Sequence, residues 1–252
     1  MTARHGCTGR AIAIGLALAA IGFGAEAAST REQYGLVALW TFDAATVAGG
    51  EVGPEFGENP GTLVGKPEAV AGFRGEALSF DGAVDYVKMT DDIFFPSVTM
   101  EAIIRPTLGS RNPIYDKYNY GIQLSDANQV GIWIRDDKEQ WPQVYTPWPT
   151  DGAWHHVVGV AEDGENVRIY LDGKLKGTAP APNSIDIPYG AGQKPTVAYT
   201  QHLGGIWYEG DVDEVAIYEG ALTDKEVGVL YGLSLRVDPA GKAASTWATM
   251  KR

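Results

Sequence analysis

The sequence predicts an all-β fold, a two-sheet antiparallel sandwich or jelly roll with one short C-terminal helix. Short runs of alternating apolar and polar residues recur along the chain, for example at residues 36–42, 130–135 and 167–171. Turn sequences such as Phe80-Asp-Gly and Leu171-Asp-Gly-Lys separate these runs. Many short strands at regular spacing, divided by Gly and Asp turns, are typical of antiparallel sandwiches and jelly rolls.

One helix is predicted, beginning near Thr223. Threonine is a favoured N-cap residue, and Glu226 stands three positions later, which completes the capping-box pattern. The apolar residues that follow reach Tyr231. The sequence therefore predicts a helix over residues 223–231 that closes the domain.

The first 27 residues have the layout of a secretory signal peptide. Arg4, His5 and Arg10 precede an apolar run at residues 11–23, and Ala25-Glu26-Ala27 matches a cleavage site. We therefore expect a secreted or cell-surface protein with one domain at residues 28–233 and a tail at 234–252. The single cysteine, Cys7, falls in the signal, so thiol chemistry is excluded from the mature chain.

The charge balance limits the classes of partner. The chain has 20 Lys and Arg against 32 Asp and Glu, which gives a formal net charge of −12. A field of that sign repels phosphate backbones, so nucleic acid is not an expected partner. The apolar run of the signal is shorter than the ~20 residues of a membrane-spanning helix, and no longer one follows it.

Six segments in a fixed order resemble one known family. They are ALWTFD (38–43), the stretch 61–89 with SFDG, TMEAIIRP (99–106), the stretch 114–136, WHH with YLDG (154–177) and GDVDEVAIYEGALTDKEV (210–227). Together the segments resemble the laminin G-like jelly roll of the concanavalin A-like lectin/glucanase superfamily, in its bacterial secreted type. The resemblance implies two stacked sheets, one concave, a recognition or adhesion role that often involves carbohydrate, and often a calcium ion.

The resemblance also implies a position for a structural calcium ion. The matching ligands are Asp43, the carbonyl of Gly82 and Asp213, and a second set combines Asp81 with Asp85. Calcium prefers carboxylate and carbonyl oxygens of this kind. The alternative is that the aspartates shape turns through hydrogen bonds from the backbone.

Alternation also predicts a ligand groove. Gln123, Trp133, Arg135, Arg168 and Tyr170 each stand between core-facing residues, so their side chains point away from the core. If their strands share one sheet, these residues line a groove suited to a sugar chain. Residues predicted to rim it are Tyr118, Trp141, Tyr145, Trp148, Trp207 and Tyr208. The alternative is plain packing, with residues 141–149 as a loop that covers the aromatic side chains.

The acidic stretch from Glu209 to Glu214 supports a competing hypothesis. Its spacing fits a glycoside hydrolase or polysaccharide lyase that uses Glu209, Asp211 and Glu214. Along a regular strand Glu214 faces away from Glu209 unless a bulge intervenes. The neighbouring histidines His155 and His156 also face opposite sides of a strand, which disfavours a shared metal ion. We therefore expect a non-catalytic module that binds extracellular or cell-surface carbohydrate, with a protein ligand as a further alternative.

Overall fold

The structure, a computed structural model, describes residues 30–109, 112–186, 189, 192–202 and 205–235. The predicted signal peptide at 1–27 and residues 236–252 of the predicted tail lie outside the described residues. Within the described part, no helix is both long and apolar enough to cross a membrane.

Two large antiparallel sheets form the molecule, which confirms the predicted all-β sandwich. Sheet A contains, in spatial order, β15 (Lys174–Pro180), β14 (Asn166–Leu171), β13 (His155–Glu162), β8 (Val98–Pro106), β19 (Glu209–Glu219), β6 (Glu76–Asp81) and β5 (Glu68–Ala71). The first strand, β1 (Leu36–Trp40), pairs with β19. The two ends of the domain therefore meet inside one sheet.

Sheet B is the second large sheet and contains nine strands in the described part of the chain. Its strands in spatial order are β12 (Gln143–Pro147), β11 (Gln129–Ile134), β10 (Tyr120–Leu124), β9 (Asn112–Asp116), β16 (Thr196–Val197), β7 (Tyr86–Met89), β4 (Gly61–Val64), β3 (Glu51–Val52) and β2 (Val47–Ala48). A separate hairpin pairs β17 (Tyr199–Thr200) with β18 (Ile206–Trp207).

The main core lies between the two sheets. Alternating residues of sheet B, such as Ile122, Ile132 and Ile134, meet alternating residues of sheet A, such as Ile104 and Val212. All five side chains are buried. The strand periodicity of two, read from the sequence, therefore places the inward residues correctly.

Helix α1 (Asp224–Ser234) covers the outer face of sheet A. Thr223 is its N-cap, and the predicted capping box with Glu226 is confirmed. Val227 and Leu230 of the helix are buried in a second apolar cluster with Val158 and Tyr170 of sheet A. This outer face is thus closed to ligands where the helix lies.

A buried polar network lies beside this second cluster. Both oxygens of the Glu101 carboxylate are engaged, since Arg31 and the Tyr218 hydroxyl contact one oxygen and His156 lies 2.8 Å from the other. Burial opposes ionisation of Glu101, yet Arg31, His156 and Tyr218 lower its pKa to about 2. The network fastens the chain around Arg31 to the middle of sheet A.

One part of the predicted organisation is wrong. Residues 141–149 were expected to be a loop, but Gln143–Pro147 form β12, which pairs along β11 from Gln143 to Pro147. The strand has only five residues, and the prolines at 142, 147 and 149 made this segment look like a loop in the sequence. As the edge strand of sheet B, β12 tolerates proline at its end because no further ladder needs that N–H.

Candidate functional site

The outer face of sheet B presents side chains in two cross-strand rows. In one row Asp116 of β9, Gly121 of β10 and Trp133 of β11 are successive neighbours. A Cβ added to Gly121 would lie 3.1 Å from the Trp133 indole nitrogen, so the indole lies against this glycine. The glycine therefore provides the space that the ring occupies.

The second row repeats this arrangement. Gln123 neighbours Gly131, which neighbours Tyr145 of β12. The Tyr145 ring lies against Gly131, and its hydroxyl is 2.5 Å from the Gln123 amide nitrogen. Two aromatic rings thus lie against glycines of adjacent strands on one face of the sheet.

A cluster of five rings stands on this face, and we call it the aromatic cluster: Tyr118, Trp133, Trp141, Tyr189 and His202. Trp133 is its base and is only 7% exposed. Its ring centroid lies 5.5 Å from that of Trp141 and 5.6 Å from that of His202. His202 is held in turn by Tyr118, whose ring centroid is 4.1 Å away and whose carbonyl is 2.9 Å from Nε2.

The exposed part of the aromatic cluster consists of Trp141 and Tyr189. Trp141 is 43% exposed and Tyr189 is 36% exposed. Their ring centroids are 6.1 Å apart and the ring planes meet at 86°. The two rings therefore form a solvent-facing corner of two nearly perpendicular aromatic surfaces.

Arg135 supports this corner from beside it. Its guanidinium carbon lies 3.8 Å from the Tyr189 ring centroid and 6.0 Å from that of Trp141. The guanidinium forms ion pairs with Asp186 and, at 3.3 Å, with Glu139. Arg135 therefore positions Tyr189 through a cation–π contact while its charge is matched by two carboxylates.

A titratable carboxyl lies beneath the aromatic cluster. Burial raises the pKa of Asp116 to about 7, against the hydrogen bonds that it accepts from the Thr200 side chain and the Tyr118 backbone N–H. Thr200 also accepts a hydrogen bond from the His202 backbone. Burial lowers the pKa of His202, so the ring is neutral at pH 7. The turns that carry Tyr118 and His202 are thus both fixed by Asp116.

The predicted groove is only partly assembled. Gln123, Trp133 and Arg135 share the outer face of sheet B, but Arg168 and Tyr170 are on β14 of sheet A. Tyr170 donates to Asp224 of helix α1, and Arg168 pairs with Glu162. The alternation of apolar and polar residues correctly predicts which side chains point away from the core. It does not predict which of the two sheets a strand joins.

The predicted rim residues divide in the same way. Tyr118, Trp141 and Tyr145 do lie at the site, whereas Tyr208 is fully buried in the main core. Trp148 packs against His155 with centroids 5.2 Å apart, and Trp207 packs against Tyr199. Trp133, predicted to line the groove, is instead covered by Trp141 and His202.

Sequence reasoning missed Tyr189 and His202. Tyr189 stands alone between Pro188 and Gly190, and His202 has no nearby carboxylate in sequence. Neither position has a strand pattern that would place it near Trp133. The available signal for His202 is the group of aromatic residues near it, Tyr199, Trp207 and Tyr208, which does not show that this segment meets Trp133; Tyr189 has no such signal.

The predicted calcium ligands are not all brought together. The Asp43 and Asp213 carboxylates accept hydrogen bonds from the Glu76 and Arg74 backbone, at the turn before β6. Gly82 follows the opposite end of β6 and lies beside Glu209, so about 20 Å of extended strand separates it from Glu76 at the turn. The full predicted set of three is therefore wrong in its geometry, although two of its members converge.

The alternative role for the other two aspartates is observed. The Asp81 side chain accepts hydrogen bonds from the backbone of Ala83, Val84 and Asp85, which lowers its pKa. Asp85 accepts one from Lys66. Both residues shape turns in the manner expected of aspartate. No group of three or more Asp, Glu, His or Cys side chains suited to a metal ion occurs among the described residues.

The acidic strand does not assemble its predicted catalytic set. Glu209 and Asp211 line a polar hollow with Arg105, whose guanidinium lies 2.7 Å from Asp211. A bulge between Asp213 and Ala216 places Glu214 at φ 50°, buried and 3.8 Å from Arg31. A bulge was needed for Glu209 and Glu214 to face the same side of the strand, and a bulge is present. Glu214 is nevertheless buried and does not line the hollow that contains Glu209.

The two histidines have separate partners. His155 contacts Asp172 and Asp151, and these hydrogen bonds raise its pKa against the opposing effect of burial. His156 faces the other side of β13 and contacts Glu101. They do not share a site, as the strand geometry predicts.

Solved structures with similar folds include domain 4 of AbnA, an extracellular GH43 arabinanase from Geobacillus stearothermophilus, in complex with arabinotriose. The TM-score is 0.61 at 22% identity, over 78% of this chain and 98% of that one. The binding domain of Paraclostridial Mosquitocidal Protein 1 matches with a TM-score of 0.60 at 15% identity, over 78% of this chain and 52% of that one. The binding domain of botulinum neurotoxin DC, in complex with rat synaptotagmin II, matches with a TM-score of 0.60 at 14% identity, over 79% of this chain and 52% of that one.

These likenesses establish the fold, and the chain spans about half the length of the toxin binding domains that it matches. A search of curated proteins found no match. A family model does match the sequence over residues 80–228, which is more than half of the chain. That range runs from β6 into helix α1 and includes all five rings of the aromatic cluster. The chain therefore belongs to the Laminin_G_3 family of the Concanavalin A-like lectin/glucanases superfamily.

Proposed function

We propose that the protein is a secreted, non-catalytic module that binds extracellular or cell-surface carbohydrate on the outer face of sheet B. The observation that carries the proposal is the exposed corner of Trp141 and Tyr189 on a rigid aromatic base. Aromatic rings take up the C–H faces of sugars, and an exposed aromatic patch marks a binding surface. Similar folds include an arabinanase domain solved with arabinotriose, which supports a role in binding.

The surroundings of the corner supply the polar half of such a site. Gln143 is exposed and is the strand neighbour of Trp133, and Gln140 is exposed next to Trp141. Amide groups donate and accept hydrogen bonds, which suits sugar hydroxyls. A few polar groups beside aromatic surface are the usual composition of a small-ligand site.

A matched pair of variants tests the proposal. Trp141→Ala removes a 43% exposed ring from the corner, while Leu175→Ala removes a 44% exposed side chain from β15 of sheet A. On a glycan array and by calorimetry we expect Trp141→Ala to weaken binding about tenfold or more, as loss of a hot-spot aromatic does. Leu175→Ala should bind like the unchanged protein. No glycan binding by the unchanged protein, or equal effects of the two variants, would overturn the proposal.

The enzymatic alternative is a hydrolase or lyase that uses Glu209, Asp211 and Glu214. Retaining glycosidases place two carboxyl groups about 5–5.5 Å apart across a cleft. Here Glu214 is held in the buried bulge near Arg31, and Asp211 is paired with Arg105. The geometry therefore favours binding over catalysis, and Glu209→Gln should leave glycan affinity unchanged.

We also propose a structural calcium ion near the turn before β6, held by Asp43 and Asp213 with backbone carbonyls rather than by Gly82. The support is that Oδ1 of Asp213 is buried with no hydrogen-bond partner among the described residues. A buried oxygen of this kind is costly unless a donor or cation satisfies it. Such an ion would link β1 to β19, the two ends of the domain.

Thermal unfolding tests the calcium proposal separately from glycan binding. An ion that binds only the folded state raises the unfolding temperature, by about 5–11 °C at 100 times its dissociation constant. We expect that increase in 1 mM calcium relative to chelator, and its loss in Asp213→Asn. Asp81→Asn should keep it. Equal unfolding temperatures in calcium and chelator would show that Asp213 holds no calcium.

A further inference from the structure

We propose that this site selects neutral glycan chains and discriminates against chains that carry uronic, sialic or sulfate groups. The inference rests on the proposed function and specifies its ligand class. It follows from how the charges around the aromatic cluster are arranged, above all from the state of Arg135.

Arg135 contacts both rings of the exposed corner, and two carboxylates of the protein already balance its charge. Asp186 contacts Nη1, Glu139 lies 3.3 Å from Nη2, and the guanidinium plane is occupied by the Tyr189 ring at 3.8 Å. Recognition of a carboxylate or sulfate by arginine requires free N–H groups in a fork. An anionic sugar would have to displace Asp186 or Glu139 to obtain them.

Two further cations near the site are paired as well. Lys138 lies 3.2 Å from Asp137, and buried Lys117 lies 2.7 Å from Asp92. Asp136 is held ionised by the Asn183 amide and two backbone N–H groups, which lower its pKa although burial opposes this. In the two described segments that flank the corner, residues 135–139 and Asp186, four acidic side chains (Asp136, Asp137, Glu139 and Asp186) therefore outnumber two basic ones (Arg135 and Lys138).

The residues next to Tyr189 and His202 in the sequence that lie outside the described ranges have uncharged side chains. Those adjoining Tyr189 are Ile187, Pro188, Gly190 and Ala191, and those after His202 are Leu203 and Gly204. His202 is neutral because burial lowers its pKa. The local potential at the corner is thus negative, and juxtaposed like charges disfavour an anionic ligand.

The remaining contact surface suits an uncharged chain. Trp141 and Tyr189 present ring surface, and Gln140 and Gln143 present amides. Stacking on these rings needs no charge on the sugar, and hydroxyl groups satisfy the amides. The acidic residues therefore act through repulsion, which is a common way to obtain specificity.

Pairs of polymers that share a sugar backbone but differ in charge separate the effect of ligand charge on affinity from the effect of backbone shape. Arabinan, xylan and a β-glucan are each tested as the neutral polymer and as its carboxymethylated derivative, by affinity electrophoresis and calorimetry with the full chain. We expect each neutral polymer that binds to bind about tenfold or more tightly than its derivative. Trp141→Ala should weaken the binding of both forms of a polymer about tenfold or more, which assigns the binding to this site.

A gain-of-function variant tests the role of Arg135. Asp186→Asn with Glu139→Gln leaves the Arg135 charge unmatched while the Asn oxygen keeps the hydrogen bond from the Tyr189 backbone. We expect this variant to bind the derivatives about tenfold better than the unchanged protein, because a free guanidinium forms charge-assisted hydrogen bonds. If it loses its fold, Glu139→Gln alone, at an 82% exposed side chain, should shift the ratio in the same direction. The matched control is Glu162→Gln, which removes one of the two carboxylates that pair with Arg168 on sheet A and should leave the ratio unchanged.

The outcomes distinguish this inference from the proposed function. Binding of neutral polymers only, with a gain for derivatives in the Asp186 and Glu139 variants, supports the inference. Binding of the carboxymethylated polymers as tightly as the neutral ones would overturn it and leave the proposed function standing. An unchanged ratio in all Arg135-freeing variants would overturn the assigned cause. No binding to any polymer would overturn both.

Discussion

Glu101 shows at the level of one residue how this molecule tolerates buried charge. Its carboxylate is fully buried between Arg31, His156 and Tyr218. Replacing one member of such a group leaves the others uncompensated, which costs about 3–5 kcal/mol. We expect Glu101→Gln to lower the free energy of unfolding by about that amount in urea titrations. Glu55→Gln, at an exposed position, should change it by less than about 0.5 kcal/mol; a similar loss in both variants would contradict the role of the network.

Asp116 should make the stability of the protein depend on pH in the direction opposite to that of an ordinary ion-paired aspartate, because its pKa is raised rather than lowered. Its pKa is raised to about 7 in the folded protein and is about 3.9 when unfolded. The folded state therefore holds the proton more tightly, so this contribution to stability is complete below pH 4 and is lost as pH rises through 7. Asp116→Asn should match the unchanged protein near pH 4 and be more stable, by on the order of 2–4 kcal/mol, at pH 8. Urea midpoints measured across that range check it, and parallel curves for the two proteins would refute it.

Single residues also show how far the sequence alone predicts the site. Alternation correctly oriented Gln123, Trp133 and Arg135 outward, because a strand has only two faces. It placed Tyr170 in the same groove although that residue lies under helix α1 on the other sheet. Tyr189 was not predicted, since a ring on a loop has no periodicity from which its position follows.

At the level of elements, helix α1 was predictable because local chemistry defines its start. Thr223 accepts a hydrogen bond from the Glu226 backbone. Removing such a cap costs about 1 kcal/mol, so Thr223→Ala should destabilise the domain by about that amount. Gly228 is exposed, and a methyl group added there would meet no neighbouring element within 4 Å, so Gly228→Ala should stabilise by about 0.8–1 kcal/mol. Urea titrations of both variants give the test, and a loss of stability in Gly228→Ala would contradict the open environment.

Strand β12 and the bulge at Glu214 were harder to predict because both depend on partners distant in sequence. β12 has a prolyl residue at its end and gains its pairing from β11. The bulge lets β19 pair with β1 and β8 while Asp213 and Glu214 are both buried. A two-residue irregularity of this kind has no signature beyond an interrupted alternation, which many loops share.

At the level of the whole molecule, the two outer faces have different roles. Sheet A has its outer face covered by helix α1 and fastened to the segment around Arg31. Sheet B carries the aromatic cluster on its outer face and exposes Trp141 and Tyr189 to solvent. The family resemblance predicted the two stacked sheets, whereas the division of faces follows from which strands join which sheet.

This division predicts that stability and ligand affinity respond to different faces. Leu230 of helix α1 is fully buried on sheet A, so Leu230→Ala should cost about 2–5 kcal/mol of unfolding free energy. At temperatures where the variant stays folded, its glycan affinity should be unchanged because the helix does not contact sheet B's outer face. Trp141→Ala should show the reverse, with affinity lost and stability altered by less than about 1 kcal/mol, since the ring is 43% exposed. Urea titration and calorimetry on both variants measure the two quantities. Lost affinity in folded Leu230→Ala would mean that the two faces are coupled through the core and that the outer face of sheet B is not an independent site.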